Sequence, residues 1–186
     1  NSGGDIIDSY SISDNVITIS PSANSNGEAV FGITVSDGLA SSDEQDLTVN
    51  FENKNDFPFI ETVNPDPVED VDEDGDNIVF TATPIDYDAD DNLTIGYVLS
   101  NSSLFESITV DPIEGTSGEI RTFTFDPADN QYGSSTLIMT ITDGTFTTTK
   151  QATLNVLSVN DAPVIVDIDN QNVDEDNNFT YELFAS

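Results

Sequence analysis

Oxygen-bearing side chains are the residues in this sequence whose types and spacing could do chemistry. They cluster beside β-type runs, and the candidates are Asn55, Asp56, Glu73, Asp86, Asp88, Asp90, Asp91, Asn160 and Asp161. Carboxylate and amide oxygens are the ligands that hard divalent cations prefer. The competing interpretation is that they are ordinary solvated turn residues. Because the clusters recur at related places in the chain, the pattern favours cation binding.

The net charge is the strongest compositional signal. The 186 residues include 36 Asp and Glu but only three Lys and Arg, which gives a net charge of −33 at pH 7. Such a chain repels nucleic acid and anionic lipid, because phosphate binding depends on Lys and Arg. Three explanations compete: adaptation to high salt, disorder and cation binding. Alternating β-branched and aromatic residues argue against disorder, and salt adaptation predicts scattered acids instead of clusters.

Two residue types that the sequence lacks exclude several kinds of site. The chain has no Cys and no His. It therefore lacks a disulfide framework, the usual general base and the commonest zinc or copper ligand. No run approaches the ~18 apolar residues that span a bilayer, so we expect no direct membrane insertion. Because the sequence shows no signal peptide and does not begin with Met, we expect it to be a piece of a longer protein.

An internal repeat organises the chain. Residues 17–21 align with residues 123–127 at a shift of 106. Asp37-Gly38 aligns with Asp143-Gly144 at the same shift of 106, and Asn55-Asp56 aligns with Asn160-Asp161 at a shift of 105. Asp72-Glu73-Asp74 aligns with Asp174-Glu175-Asp176 at a shift of 102. The alignment predicts the C-terminal part of one repeat (1–56), a complete repeat (57–161) and the N-terminal part of the next (162–186). We expect the last segment to be mobile unless strands of another copy complete it.

The complete repeat reads as all-β. Seven short runs rich in β-branched and aromatic residues lie near 59–63, 78–82, 93–99, 107–110, 121–125, 137–141 and 152–156. They are separated by Gly, Pro, Asn and Asp, which punctuate strands. Asp37-Gly38 and Asp143-Gly144 are expected to form hairpin turns that need no metal. Seven strands in about 105 residues predict an immunoglobulin-like β-sandwich.

The order of the motifs resembles a known family. Asn-Asp-x-Pro, Asp-Glu-Asp, Asp-x-Asp, Tyr-Gly, Thr-x-Thr-Asp-Gly and a second Asn-Asp-x-Pro follow one another in register along the chain. This order resembles the cadherin-like tandem repeats of very large bacterial surface and secreted proteins, many of them adhesins. The resemblance implies calcium at the junctions between consecutive domains, neighbouring repeats of the same chain as partners, and an extracellular or bacterial cell-surface location.

The alternating direction of successive strands, which we call strand parity, assigns the candidate ligands to two ends of the complete repeat. With seven strands that alternate in direction, the chain enters the repeat at one end, the upstream end, and leaves it at the opposite end, the downstream end. Asn55, Asp56, Asp86, Asp88, Asp90 and Asp91 are expected at the upstream end, and Glu73, Asn160 and Asp161 at the downstream end. Calcium takes about 6–8 oxygens at about 2.3–2.6 Å. We expect the upstream end to bind it better, because the downstream end needs a further Asp-x-Asp loop from the following repeat.

These residues are compatible with three functions. The favoured one is a non-enzymatic spacer, made rigid by calcium, that extends the functional head of an adhesin from a surface. Homotypic, surface or glycan contacts would then belong to the parent protein. The alternative is a carbohydrate-binding module of a secreted polysaccharide-degrading enzyme, which needs exposed aromatic residues; Tyr132 is expected to be buried instead. A glycosidase with two carboxylates is disfavoured, because a catalytic pair has no reason to repeat with the domain.

Overall fold

The computed structural model describes residues 6–88, 92–165 and 167–183. The strands follow in the order β1 (Ile7–Ser13), β2 (Val16–Pro21), β3 (Gly27–Ile33), β4 (Gln45–Phe51), β5 (Phe59–Asn64), β6 (Val71–Asp72), β7 (Ile78–Ile85), β8 (Asn92–Leu99), β9 (Phe105–Asp111), β10 (Glu114–Thr116), β11 (Arg121–Pro127), β12 (Gly133–Thr142) and β13 (Thr147–Leu157). The described residues contain no α-helix, and a single 3₁₀ turn spans Ser102–Leu104. The all-β prediction is confirmed.

Strands β5 to β13 form two sheets, which we call the central unit. One sheet has the order β5-β7-β11-β9 and the other β10-β8-β12-β13-β6. Strand β6 pairs in parallel with β13, while the other pairings in the unit are antiparallel. Each of the seven predicted runs lies in a strand. Strands β6 and β10 were not predicted, because two or three residues are too few to show an alternating pattern.

Alternation of inward and outward side chains builds one core between the two sheets. On β11 the buried positions include Phe123 and Phe125, which alternate with half-buried Thr124 and Asp126. The rings of Phe80 and Phe123 stack with centroids 4.9 Å apart. The facing sheet contributes further buried apolar residues: Leu93, Ile95, Leu137, Met139, Ile141, Leu154 and Val156. Full burial of each such side chain stabilises the fold by roughly 1.5–3 kcal/mol.

The same backbone geometry recurs about 106 residues apart. Asn24 and Asn130 both have φ of 56°, and Gly38 and Gly144 have φ of 89° and 91°. Asn tolerates the left-handed region and Gly adopts it without strain, so these residue types suit their turns. The correspondence equates β2, β3 and β4 with β11, β12 and β13. In the first part of the chain these strands form two separate ribbons, β1-β2 and β3-β4.

The C-terminal segment differs from both regions. No strand is described among residues 162–165 and 167–183. Its large apolar side chains are exposed, namely Val164, Ile165, Ile168, Val173, Phe179, Tyr181 and Leu183. The alternating apolar pattern of this segment is therefore not buried against the rest of the chain.

Candidate cation sites at the two ends of the central unit

Antiparallel pairing of β5 with β7 assembles the upstream end. Phe59 at the start of β5 lies opposite Ile85 at the end of β7. The residues just before β5 therefore meet those just after β7. The Asp56 backbone N–H donates a hydrogen bond of 2.7 Å to Asp88 Oδ2. The loop carboxylate is thereby attached to the linker that precedes the unit.

The loop after β7 is held by its own polar groups. Asp88 N–H donates to Asp86 Oδ1 at 3.0 Å. The backbone of Asp86 exchanges two hydrogen bonds of 2.9 Å with the Ser117 hydroxyl. Asp86 and Asp88 are only 6% and 7% exposed. Burial of a carboxylate is unfavourable unless hydrogen bonds or a cation compensate its charge, and these hydrogen bonds stabilise the two buried acids.

Asp143 belongs to the upstream end as well as to the hairpin turn that its Asp-Gly sequence predicts. Its Oδ1 accepts 2.6 Å hydrogen bonds from the N–H groups of Thr145 and Phe146, which form the expected hairpin turn. Its Oδ2 accepts a 2.7 Å hydrogen bond from Asn55 Nδ2. Strand parity could have revealed this contact, because the β12–β13 hairpin also lies at the upstream end.

Hydrogen bonding lowers the pKa of Asp143. Burial acts to raise this pKa, but the N–H of Phe146, the amide of Asn55 and the N–H of Thr145 together hold it below its ordinary value. The N–H groups of Ala40 and Leu39 likewise lower the pKa of Asp37, the equivalent residue one repeat earlier. Both carboxylates are therefore ionised at neutral pH, as ligands for a cation would have to be.

Glu73 organises the downstream end. It follows β6, and its N–H donates to the Leu157 carbonyl at 2.9 Å. Its Oε1 accepts a 2.9 Å hydrogen bond from the N–H of Val159, the residue before Asn160. Glu73 is 5% exposed, and its buried Oε2 has no hydrogen-bond partner among the described residues. A buried carboxylate oxygen without a donor is costly to leave unsatisfied, and a cation would satisfy it.

The two linkers share one local conformation. Asn160 Nδ2 donates to the Asp161 carbonyl at 3.0 Å, and Asn55 Nδ2 donates to the Asp56 carbonyl at 2.9 Å. Asn160 and Asp161 are exposed, whereas Asn55 and Asp56 are half-buried. Asn160 and Asp161 follow Val159, which binds Glu73, and therefore belong to the downstream end.

The described carboxylates do not by themselves form a closed metal cage. Across residues 6–88, 92–165 and 167–183, no group of three or more acidic side chains is close enough to hold a metal ion. Asp90 and Asp91, two of the predicted upstream ligands, lie outside the described residues. The donor set still fits a hard cation, since Glu73 Oε2 is an orphaned anionic oxygen, but a full shell needs more oxygens than these residues supply.

Two of the three basic side chains, Arg121 and Lys150, are engaged away from the candidate sites. Arg121 is buried and pairs with Glu119 at 3.5 Å. Lys150 Nζ donates to the carbonyls of Ile60 and Glu61, at 3.3 and 3.4 Å. In the described part of the chain, the recorded contacts of these two cations are with strand residues and not with the carboxylates at the ends.

The expectation for Tyr132 is wrong. Its side chain is 64% exposed. Tyr132 belongs to the loop between β11 and β12 and precedes Gly133, where the backbone has φ of 135°. The side chain therefore lies outside the core, which the alternation on β11 and β12 fills without it.

The chain is distantly similar to several solved structures. No protein-family model matches it, and no curated protein matches it. Domains 4 and 5 of the S-layer protein SbsC are 18% identical over 80% of this chain and 65% of that one, with a TM-score of 0.41. The D00-D0 domain of intimin is 15% identical over 67% and 64%, with a TM-score of 0.35. The endo-fucoidan hydrolase MfFcnA4 is 19% identical over 84% and 24%, with a TM-score of 0.41.

These similarities concern all-β, repeat-like architecture. The chain spans less than two thirds of the length of each of these three structures. Two of them come from bacterial surface proteins and one from an enzyme. At such identities and TM-scores they carry no argument about what this chain does. The structure also contains no helix, among its described residues, long and apolar enough to cross a membrane.

Proposed function

We propose that the chain is a non-enzymatic structural segment of a bacterial surface or secreted adhesin. Calcium at the two ends of each unit would make successive units rigid, so that the segment works as a spacer that holds a functional head away from the surface. The observation that carries the proposal is the buried Glu73 carboxylate. It accepts a hydrogen bond from the Val159 backbone of the linker through Oε1, and its buried Oε2 has no hydrogen-bond partner among the described residues.

The arrangement of the central unit supports an immunoglobulin- and cadherin-like sandwich. If the seven long strands are lettered A to G in chain order, one sheet contains A, B, E and D (β5, β7, β11 and β9) and the other contains C, F and G (β8, β12 and β13). Immunoglobulin sandwiches divide these strands between their two sheets in the same way. The chain then reaches the unit at the Asn55 end and leaves it at the Asn160 end, as a spacer made of tandem units requires.

Electrostatics supplies the reason for a cation. A chain with a net charge of −33 repels itself wherever two acidic ends meet. Two buried carboxylates, Asp88 and Glu73, each bind the backbone of a linker, so a cation bound to them would couple the linker to the unit. Calcium outside cells is abundant enough to saturate even weak modules, which have dissociation constants of about 10⁻⁴–10⁻³ M, and this favours an extracellular location.

Thermal unfolding in calcium chloride, compared with sodium chloride at matched ionic strength, tests the proposal. We expect calcium to raise the melting temperature well beyond sodium, because an ion that binds only the folded state stabilises it by about 2.7 kcal/mol at a hundredfold excess over its dissociation constant. Identical melting curves in the two salts would show that the acids reflect salt adaptation instead.

A carbohydrate-binding module is the second candidate, and the exposed Tyr132 favours it. An exposed ring can stack on a sugar face. Phe57, which is also exposed, stacks instead on Phe146 with ring centroids 4.0 Å apart. A glycan array separates the two functions: binding that is lost in Tyr132→Ala would favour the module, whereas an empty array beside a calcium-dependent melting temperature favours the spacer.

A further inference from the structure

A short segment that crosses between the two sheets of the central unit lies beside the acidic loop of the upstream end. Residues 114–121, which we call the bridging segment, begin with β10 in one sheet and end at the first residue of β11 in the other. The chain also crosses between the sheets from β7 to β8, and this crossing carries Asp86 and Asp88. Because β7 neighbours β11 and β8 neighbours β10, the two crossings begin and end at adjacent strands.

The bridging segment holds both flanks of the acidic crossing. On the β7 side, the Gly118 N–H donates to the Pro84 carbonyl at 2.8 Å. The Ser117 hydroxyl accepts the Asp86 N–H and donates to the Asp86 carbonyl, each at 2.9 Å. On the β8 side, β10 pairs with the first residues of β8. The two flanks of the crossing therefore cannot move apart without breaking contacts to the bridging segment.

Buried polar contacts fasten the bridging segment to the core. Arg121 is fully buried, and its Nη1 donates to the Glu119 carbonyl at 2.9 Å. The Glu119 carboxylate pairs with Arg121 at 3.5 Å and accepts the Thr116 N–H at 3.2 Å. A Cβ at Gly115 would collide with the side chains of both Glu119 and Arg121, so the backbone packs directly on this ion pair. The segment is therefore a fixed support for the loop beside it.

Hydrogen bonds continue from Ser117 through the two acids to the upstream linker. Asp86 Oδ1 accepts the Asp88 N–H at 3.0 Å, and Asp88 Oδ2 accepts the Asp56 N–H at 2.7 Å. Two buried carboxylates repel each other, so their arrangement needs a support that does not depend on charge. The half-buried Ser117 hydroxyl is neutral and supplies that support through the backbone of Asp86.

We infer that Ser117 is a positioning residue of the upstream cation site and sets its affinity for calcium. It acts by holding the backbone of Asp86, which in turn holds Asp88 and the linker. The inference rests on the calcium binding proposed above. A loop that is already held in its binding conformation loses less conformational freedom when the ion binds, so removal of the support weakens binding without removing a carboxylate.

Calorimetric titration of the full-length chain with calcium chloride at fixed ionic strength tests the inference. Ser117→Ala should weaken the tighter binding event about tenfold, the change that corresponds to one hydrogen bond that preorganises the site. Ser117→Thr keeps a hydroxyl and should restore the parent affinity. Ser107→Ala is the matched control, because this hydroxyl donates to Asp126 near the other end of β11, at 3.4 Å. Its affinity for calcium should equal that of the parent.

Amide hydrogen exchange of the calcium-free chain gives a readout that does not depend on the ion. In Ser117→Ala the N–H groups of Asp56, Asp86 and Asp88 should exchange about tenfold faster, because the loop opens locally more often. The N–H of Phe123, in the middle of β11, should keep its protection. Unchanged exchange of the three Asp amides overturns the inference. Faster exchange that includes Phe123 also overturns it, since Ser117 would then support only the fold.

The titration separates this inference from the proposed function. If the parent and Ser117→Ala bind calcium equally well, Ser117 does not position the site, and the spacer proposal stands. If the parent binds no calcium, the proposed function and this inference fail together, whatever the amides of Ser117→Ala show.

Discussion

Substitution of Asp88 separates a structural role from a calcium-binding role. Asp88 Oδ2 accepts the Asp56 N–H at 2.7 Å and the residue is 7% exposed. An Asn at this position can still accept that hydrogen bond through its amide oxygen, but it lacks the negative charge. Ala removes both. The pair of variants therefore isolates the charge, which matters to a cation, from the hydrogen bond, which matters to the fold.

The expected sizes follow from these contacts. Without calcium, Asp88→Asn should unfold within about 1 kcal/mol of the parent, whereas Asp88→Ala should lose about 1–3 kcal/mol because the Asp56 N–H is left without its acceptor. With calcium at a hundredfold excess, the parent gains about 2.7 kcal/mol. At roughly 4 °C per kcal/mol for a unit of about 100 residues, that is a rise of roughly 10 °C. Both variants should lose most of this rise.

Differential scanning calorimetry with and without calcium measures these effects, and calorimetric titration counts the binding events. Asp88→Ala should abolish the tighter event. Glu61→Gln is the matched control, since Glu61 is an exposed acid within β5 and its loss changes the net charge equally. A full calcium response in Asp88→Asn, or an equal loss in Glu61→Gln, would show that Asp88 does not bind the ion.

Three further predictions concern the other end, the turn and the core. Asp161→Ala should leave the tighter calcium event nearly unchanged in a calorimetric titration; loss of that event would mean that the acids were assigned to the wrong ends. Asp143→Asn should destabilise the chain at neutral pH more than Asp37→Asn does, because it also disrupts the contact with Asn55. Since the folded pKa of Asp143 is lowered, its contribution is complete above the ordinary value of 3.8 and is lost as the pH falls through the folded pKa, so acid titration of unfolding should flatten in Asp143→Asn. Arg121→Ala should cost about 2–5 kcal/mol in urea unfolding through the cavity it leaves, while Arg121→Met should keep most of the stability.

Periodicity made the strands of the central unit predictable. The alternation that β11 shows in the structure was already visible as Thr and Phe in turn, and it required no knowledge of the partners. Strands β6 and β10 were not predicted, because two or three residues are too few to show a period. Their conformation is fixed by strands that are distant in sequence. Tyr132 was placed wrongly for a related reason: the exposure of a loop side chain depends on tertiary contacts that no local pattern encodes.

The ends of the unit were partly predictable. Strand parity alone brought Asp56 and Asp88 together and placed Glu73 beside the second linker, since it needs only the number of strands between them. It did not reveal Asp143, because the Asp-Gly pair was explained fully by its turn. Cation binding itself stays a prediction. The sequence shows which residues carry suitable oxygens, but whether those oxygens converge on one point depends on the conformations of loops, including the loop that carries Asp90 and Asp91.

The parallel pairing of β6 with β13 has a mechanical consequence. Val71 lies opposite Val156 and Asp72 opposite Leu157, and the chain continues from β6 into the unit and from β13 out of it. Tension applied through the two linkers acts on β5, which follows the upstream linker, and on β13; once it is transmitted along the chain from β5 to β6, it pulls β6 and β13 past each other along their common direction. Their hydrogen bonds, together with that between Glu73 and Val159, then bear load at the same time and must break together. A unit connected in this way resists stretching far better than one whose terminal strands could be peeled apart one bond at a time.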